Sequence, residues 1–235
     1  MPALYLLSGG AAKGLVTQLQ PRFLERTGLQ VHGSFNAVGM MKDQLLAGAP
    51  CDVVILTAAL IDQLTASGHV NPGSARPLGI VKTGIAVRQG ATVPALATPA
   101  ELRQALQSAG AVYFPDPVKA TAGIHFMNVL RQLNIDAELA DRLRPCANGA
   151  AAMEALSTAG ETGAIGCTQV TEIIFAAGVA LAADLPKEFE LATVYTAAVC
   201  ARAAQPQAAA DLITLLTSEE AAGLRSAGGF ERLQG

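Results

Sequence analysis

Short apolar runs alternate with helix-period segments along this chain, and small residues mark nearly every change from one to the other. Ala3-Leu4-Tyr5-Leu6-Leu7 reads as a strand closed by Ser8-Gly9-Gly10. Ala11 begins a helix in which Leu15, Leu19 and Phe23 recur every four residues until Thr27-Gly28 stops it. Val31 to Phe35 predicts a second strand, closed by Asn36-Ala37-Val38-Gly39. The helix after it carries Met40, Met41, Leu45 and Leu46 as far as Gly48-Ala49-Pro50. Asp52 to Leu56 is apolar after its first residue and predicts a buried parallel strand ending at Thr57. A short helix, Ala58 to Ser67, and the loop Gly68 to Gly73 follow.

Leu78 to Val87 is long and β-prone, with Gly79 and Gly84 inside it, as expected of a segment crossing between two sheets. After a Pro/Ala/Thr loop at 90–100, Glu101 to Ser108 predicts a helix. Ala111 to Phe114 predicts a strand running into Pro115-Asp116-Pro117. Thr121-Ala122-Gly123 then opens a helix with Ile124, Met127, Leu130 and Leu133 along one side and Thr121 as its cap. Asp136 to Arg144 reads as helix, and Pro145 to Gly149 as a turn into the helix Ala150 to Ser157. Ala164 to Thr168 is a strand followed by Gln169 and the helix Val170 to Ala176. Val194 to Ala201 is a last strand, before helices at Gln207 to Thr217 and Glu219 to Ser226. Alternation on this scale calls for right-handed βαβ units and a parallel sheet. The expected organisation is α/β in two lobes, 1–81 with 196–235 and 82–195, joined by Leu78–Val87 and Leu191–Val199.

Where a strand ends and a helix starts on small residues, unpaired N–H groups and the positive end of the helix dipole make an anion site. One such junction is a weak signal; here it recurs along the chain. Composition removes other classes. Apolar residues are 51% and charged residues 15%, with no Trp, so the chain is neither disordered nor a coiled coil. A net charge of -3 and a pI near 5.6, without a basic or aromatic stripe, argue against nucleic acid as a partner. Cys51, Cys146, Cys167 and Cys200 are widely spaced with no clustered His, so no metal or other cofactor is expected and buried thiols are the default for all four. No apolar run approaches membrane-spanning length. Met1-Pro2 leads straight into a strand pattern with no basic n-region. The chain as given therefore reads as cytoplasmic, or as periplasmic if a signal peptide has been removed.

Three segments carry a resemblance that covers nearly the whole chain. They are Leu46-Ala47-Gly48-Ala49-Pro50-Cys51-Asp52-Val53-Val54-Ile55, Asp116 through Ala122-Gly123-Ile124, and Gly166 through Gly178 to Pro186. In these the chain resembles the molybdate/tungstate-binding proteins of ABC transporters, with the type II periplasmic-binding-protein fold. The resemblance implies two α/β lobes closing on a small anion in a cleft, gripped by backbone N–H groups and hydroxyls without a counter-charge. It also implies an ABC permease as partner if the protein is exported. By position, the Ala122 backbone contact and the loop Asn148-Gly149 carry over unchanged, and the candidate ligand set around them adds Ser8, Gly9, Gly10, Ala11, Asn36, Ala37, Thr121, Gly123 and Gln169. Thr57 and Thr168 join it as strand-end threonines, which read equally well as structural residues. The family's first-loop serine falls near Ala11, with Ser8 upstream. Its second-loop serine falls within Asn36-Ala37-Val38, and its ligand tyrosine falls at Gln169. A buried oxyanion needs each oxygen matched by a donor, so these replacements weigh against molybdate.

Lys13 and His125 point to a larger, asymmetric anion. Each lies in the first turns of a helix, where a cation opposes the dipole and gains no local stability. They could grip two ends of a di- or tricarboxylate; the plain alternative is a solvated lysine and a packing histidine. Two functions follow: a receptor for a small carboxylate or molybdate-like anion, or an isomerase of a small unsaturated carboxylate resembling the aconitate isomerases. In the isomerase His125 would be the catalytic base and Lys13 its electrostatic partner. Asp116 reads as a turn residue, and Gly9-Gly10-Ala11-Ala12-Lys13-Gly14 lacks the spacing of a nucleotide loop.

Overall fold

The computed structural model describes residues 3–233; Met1-Pro2, where the start of the chain was read, lie outside the described residues. The chain divides into two compact units. Unit 1 runs to Val81 and resumes at Thr193; unit 2 is the continuous stretch Lys82–Ala192.

Unit 1 begins β1 (Ala3–Gly9), a 3-10 turn (Gly10–Ala12), α1 (Lys13–Thr27), β2 (Gln30–Asn36), α2 (Val38–Leu46), β3 (Val53–Thr57) and α3 (Ala58–Ala66). Leu15, Leu19 and Phe23 are buried along α1 as their period requires, and Gly28 ends the helix at φ 71°. β4 (Arg76–Arg88) starts in unit 1 and continues into unit 2. Unit 2 then holds α4 (Pro99–Ser108), β5 (Val112–Pro115), α5 (Thr121–Gln132), β6 (Leu143–Cys146), α6 (Gly149–Ser157), β7 (Ile165–Gln169), α7 (Val170–Phe175) and β8 (Val179–Asp184). β9 (Ala192–Val199) returns the chain to unit 1, which ends with α8 (Pro206–Thr217) and α9 (Ala222–Ala227).

The strand order in unit 1 is β2-β1-β3-β9, with β1 parallel to β2 and β3, and β9 antiparallel to β3. In unit 2, β6-β5-β7 is parallel, and β4 joins β7 and β8 antiparallel. The sheet is thus mixed, where apolar runs alone predicted a parallel one. Each unit has its own apolar interior. Leu4, Leu6, Phe23, Ile55 and Leu216 are among the buried side chains of unit 1, and Ile85, Phe114, Phe126 and Leu130 among those of unit 2.

Several expectations need correction. Asp136 to Arg144 is not an α-helix: only Ala140–Arg142 winds, as a 3-10 turn, and Leu143–Cys146 is β6. β6 pairs only with β5, so Pro145 sits on an edge strand where its missing N–H is tolerated. β8 was not foreseen. Thr121 does not cap α5; the N-cap is Ala120, and Thr121 is already helical. Ile124 is exposed, and the buried stripe of α5 is Ala122, Phe126, Val129 and Leu130. Cys51, Cys167 and Cys200 are buried, but Cys146 is only partly so.

Candidate functional site

In unit 1 the carboxyl ends of the parallel strands lie side by side, with Gly9 opposite Asn36 and Ser8 opposite Ile55. Gly9, Gly10 and Ala11 pass through the 3-10 turn into α1; Asn36-Ala37 leads into α2, and Thr57 into α3. Gly9 is sterically required, because a Cβ there would lie 2.8 Å from Val38 Cγ1 and 3.1 Å from Tyr195 Cε1. Tyr195, opposite Thr57 in β9, was missed by sequence reasoning; only strand pairing brings it to this edge. The helix starts differ in one useful respect. Thr98 caps α4 and Asn148 caps α6 through side-chain oxygens, whereas α2, α3 and α5 have no side-chain cap at Ala37, Thr57 and Ala120. At these three starts no N-cap side chain satisfies the first N–H groups of the helix.

Ser8 is fully buried, and its hydroxyl donates to the Gly9 carbonyl at 2.8 Å. Asn36 Oδ1 accepts from the Ala37 N–H at 2.8 Å, which fixes the chain as it enters α2. Lys13 is the first residue of α1, half-buried, with no ion pair among the described residues.

In unit 2 the ends of β5, β6 and β7 lead to α5, α6 and α7. Asp116 Oδ1 accepts from the N–H groups of Val118 and Lys119 at 2.7 and 2.9 Å, so it shapes the turn before α5. Ala122 and Gly123 are buried, and a Cβ on Gly123 would press into the carbonyl oxygens of Pro115 and Asp116. The start of α5 is therefore packed against its own strand end with no room to spare. His125 places Nε2 2.7 Å from the Phe189 carbonyl, a contact in which the imidazole must donate. This bond fastens α5 to the 3-10 turn Lys187–Phe189 and leaves Nδ1 as the remaining acceptor.

Asn148 uses Oδ1 to accept from the Ala151 N–H at 2.9 Å. The space beside Gly149 is taken by Glu172 and Thr168, whose hydroxyl donates to Glu172 Oε2 at 2.5 Å. A carboxylate of the protein itself thus occupies the start of α6, which disfavours a second anion there.

Gln169 differs from all of these. It is 3% exposed, and neither its Nε2 nor its Oε1 has a hydrogen-bond partner among the described residues. Thr83, opposite it across the β4–β7 ladder, and Thr171 are equally buried and unpartnered. Strand alternation puts Gln169 on the same face of β7 as Ile165 and Cys167, the face that packs with Phe126, Val129 and Leu130 of α5. A buried carboxamide and hydroxyls without partners are costly in a static interior and useful where a polar ligand completes them. Gln169 was legible as a replacement for a tyrosine. Thr83 and Thr171 carried no sequence signal, since single threonines in apolar strands and helix starts are common.

Residues 4–231 match the family described as bacterial extracellular solute-binding protein. The chain belongs to that family. Among solved structures the solute-binding fold is shared with the periplasmic molybdate-binding protein of Azotobacter vinelandii, at TM-score 0.82 and 20% identity over 98% of this chain and 100% of that one. A sulfate-binding protein of Mycobacterium tuberculosis matches at TM-score 0.74 and 16% identity, over 100% of this chain and 88% of that one. The two-lobed type II periplasmic-binding fold follows from these likenesses. In sequence, an aconitate isomerase from a Pseudomonas species is 27% identical over 227 residues, covering 93% of this chain and 84% of that protein.

Proposed function

We propose that this solute-binding chain recognises a small organic carboxylate, using in unit 2 the uncapped start of α5 together with Thr83 and Gln169. The observation that carries this reading is the Gln169 side chain, buried with both a donor and an acceptor unsatisfied. A fully deprotonated tetrahedral oxyanion offers acceptors only and leaves Oε1 facing negative charge. A hydroxy acid or a partly protonated polycarboxylate offers both kinds of partner, and the uncapped start of α5 supplies donors for a carboxylate. A receptor of this kind would hand its ligand to a membrane permease from outside the cytoplasm.

Isothermal titration with di- and tricarboxylates, molybdate and sulfate tests the reading. Saturable binding of a carboxylate should weaken at least about tenfold in Gln169→Leu. The same variant should raise the melting temperature of the ligand-free protein, because it removes an unsatisfied buried amide. Tight molybdate binding with no carboxylate response would overturn it.

The aconitate isomerase relative favours a second reading, in which the bound carboxylate is turned over. A base would remove a proton α to a carboxylate and return one at the far end of the allylic system. With Nε2 of His125 donating to Phe189, Nδ1 is the atom left to act as base. Proton NMR of the protein with cis- and trans-aconitate separates the two readings. Interconversion that disappears in His125→Ala supports the isomerase, and line broadening without conversion supports the receptor.

A further inference from the structure

Cys51 and Cys200 lie in unit 1, just before β3 and just after β9, far apart in sequence and in contact in space. Their Sγ atoms are 3.2 Å apart, with the Cys200 thiol donating to the Cys51 sulfur and the Cys51 thiol donating to the Val53 carbonyl at 3.1 Å. A disulfide requires S–S of about 2.05 Å, so closure asks for an approach of only about 1 Å. The backbone around the pair is already fixed. The Cys200 N–H donates to the Asp52 carbonyl at 2.9 Å, and the Ala201 N–H donates to the His69 carbonyl at 2.9 Å.

The pair is also reachable. Both cysteines line a cavity of about 360 Å³ between the turn after α2, the turn after α3 and the chain after β9. The other ionisable side chains lining it are His69 and Arg202, and no carboxylate does. We propose that Cys51 and Cys200 form a redox-responsive thiol pair that closes to an intramolecular disulfide with small anionic disulfides that enter this cavity.

The steps balance by thiol–disulfide exchange. Cys51 loses its proton to solvent, and its sulfur attacks a disulfide RSSR, forming a mixed disulfide and releasing RS⁻, which takes up a proton. Cys200 then loses its proton and attacks the Cys51 sulfur; the Cys51–Cys200 bond forms and the second RS⁻ leaves. The two thiols are oxidised by two electrons and RSSR is reduced by two. The hydrogen bond to Cys51, followed by burial, pushes the Cys200 thiol up, so its proton stays in place through the first step. The bond closes a loop containing the whole of unit 2, and long loops gain most from cross-linking.

The test uses the full chain with oxidised glutathione, an anionic disulfide, and cystamine, a cationic one. Oxidised glutathione should take the four free thiols to two, counted after alkylation in denaturant, and peptide mapping should link Cys51 to Cys200. The melting temperature should rise by about 5–15 °C and return with dithiothreitol. Cys146→Ser should keep this response, and Cys200→Ser should abolish it. Four surviving thiols, a different pair, or a stable glutathione adduct on Cys51 without closure would overturn the proposal. A cystamine reaction at least as fast as that of oxidised glutathione would overturn the route through the cavity. Because the wild-type peptide map decides the linkage, a serine variant that does not fold leaves the outcome readable.

Discussion

A glycine is required at position 123 because the backbone of α5 passes against the carbonyls of Pro115 and Asp116 with no space for a Cβ. In an exposed helix, Gly→Ala stabilises by up to about 1 kcal/mol. Here the sign reverses: Gly123→Ala should destabilise the protein by about 2–3 kcal/mol in urea unfolding. A neutral or stabilising result would mean that the strand end yields. The same residues show how far sequence reading reaches at this scale. Thr121-Ala122-Gly123 marked the helix start correctly, because small residues at a strand–helix junction have a local cause. Ile124 shares its side of the helix with Leu130 and Leu133 by spacing and yet is exposed, since the facing direction of a helix is decided by what packs on it. Gln169 could be seen as an unusual residue, but its missing partners, and those of Thr83, are properties of the folded interior.

Elements were legible where their cause was local. β1, β3, β5 and β7 are apolar runs bounded by small residues, and α1 announces itself through a four-residue period. β6 was hidden because its sequence, Leu143-Arg144-Pro145-Cys146, has neither alternation nor β-branched residues; its position on the sheet edge excuses both. Strand direction was not legible either, because an apolar run reads the same in both orientations, and β4 and β9 proved antiparallel to their neighbours in the parallel strand sets. The elements of unit 1 are joined at one buried carboxylate. Asp52 is 1% exposed and accepts from the Tyr5 N–H and the Gln205 N–H, each at 2.8 Å, tying β1 to the segment before α8. Asp52→Ala should therefore cost about 3 kcal/mol by chemical denaturation, because it orphans two backbone donors; Asp52→Asn, which keeps one good acceptor, should cost roughly half as much. Equal losses in both variants would point to packing as the cause.

At the scale of the whole molecule, the chain leaves unit 1 at Val81 and returns at Thr193, so unit 2 is an uninterrupted insert with its own apolar interior. The Thr83 N–H donates to the Leu191 carbonyl at 3.2 Å, which fastens the two ends of the insert to each other. The segment 82–192 expressed alone should fold and melt cooperatively by circular dichroism. A non-cooperative melt would show that unit 2 depends on the rest of the chain. The sequence by itself determined the α/β class, the recurrence of small-residue helix starts and the likeness to anion-binding proteins. These depend on residue type and short-range spacing, which backbone sterics and periodicity translate directly into elements. Only the tertiary structure decided which helix starts lack a side-chain cap and which are already occupied by Thr98, Asn148 or Glu172. It alone brought Cys51 to Cys200 and left Gln169 unpartnered. Those facts depend on contacts between distant segments, and no local pattern encodes which distant side chain fills a given space.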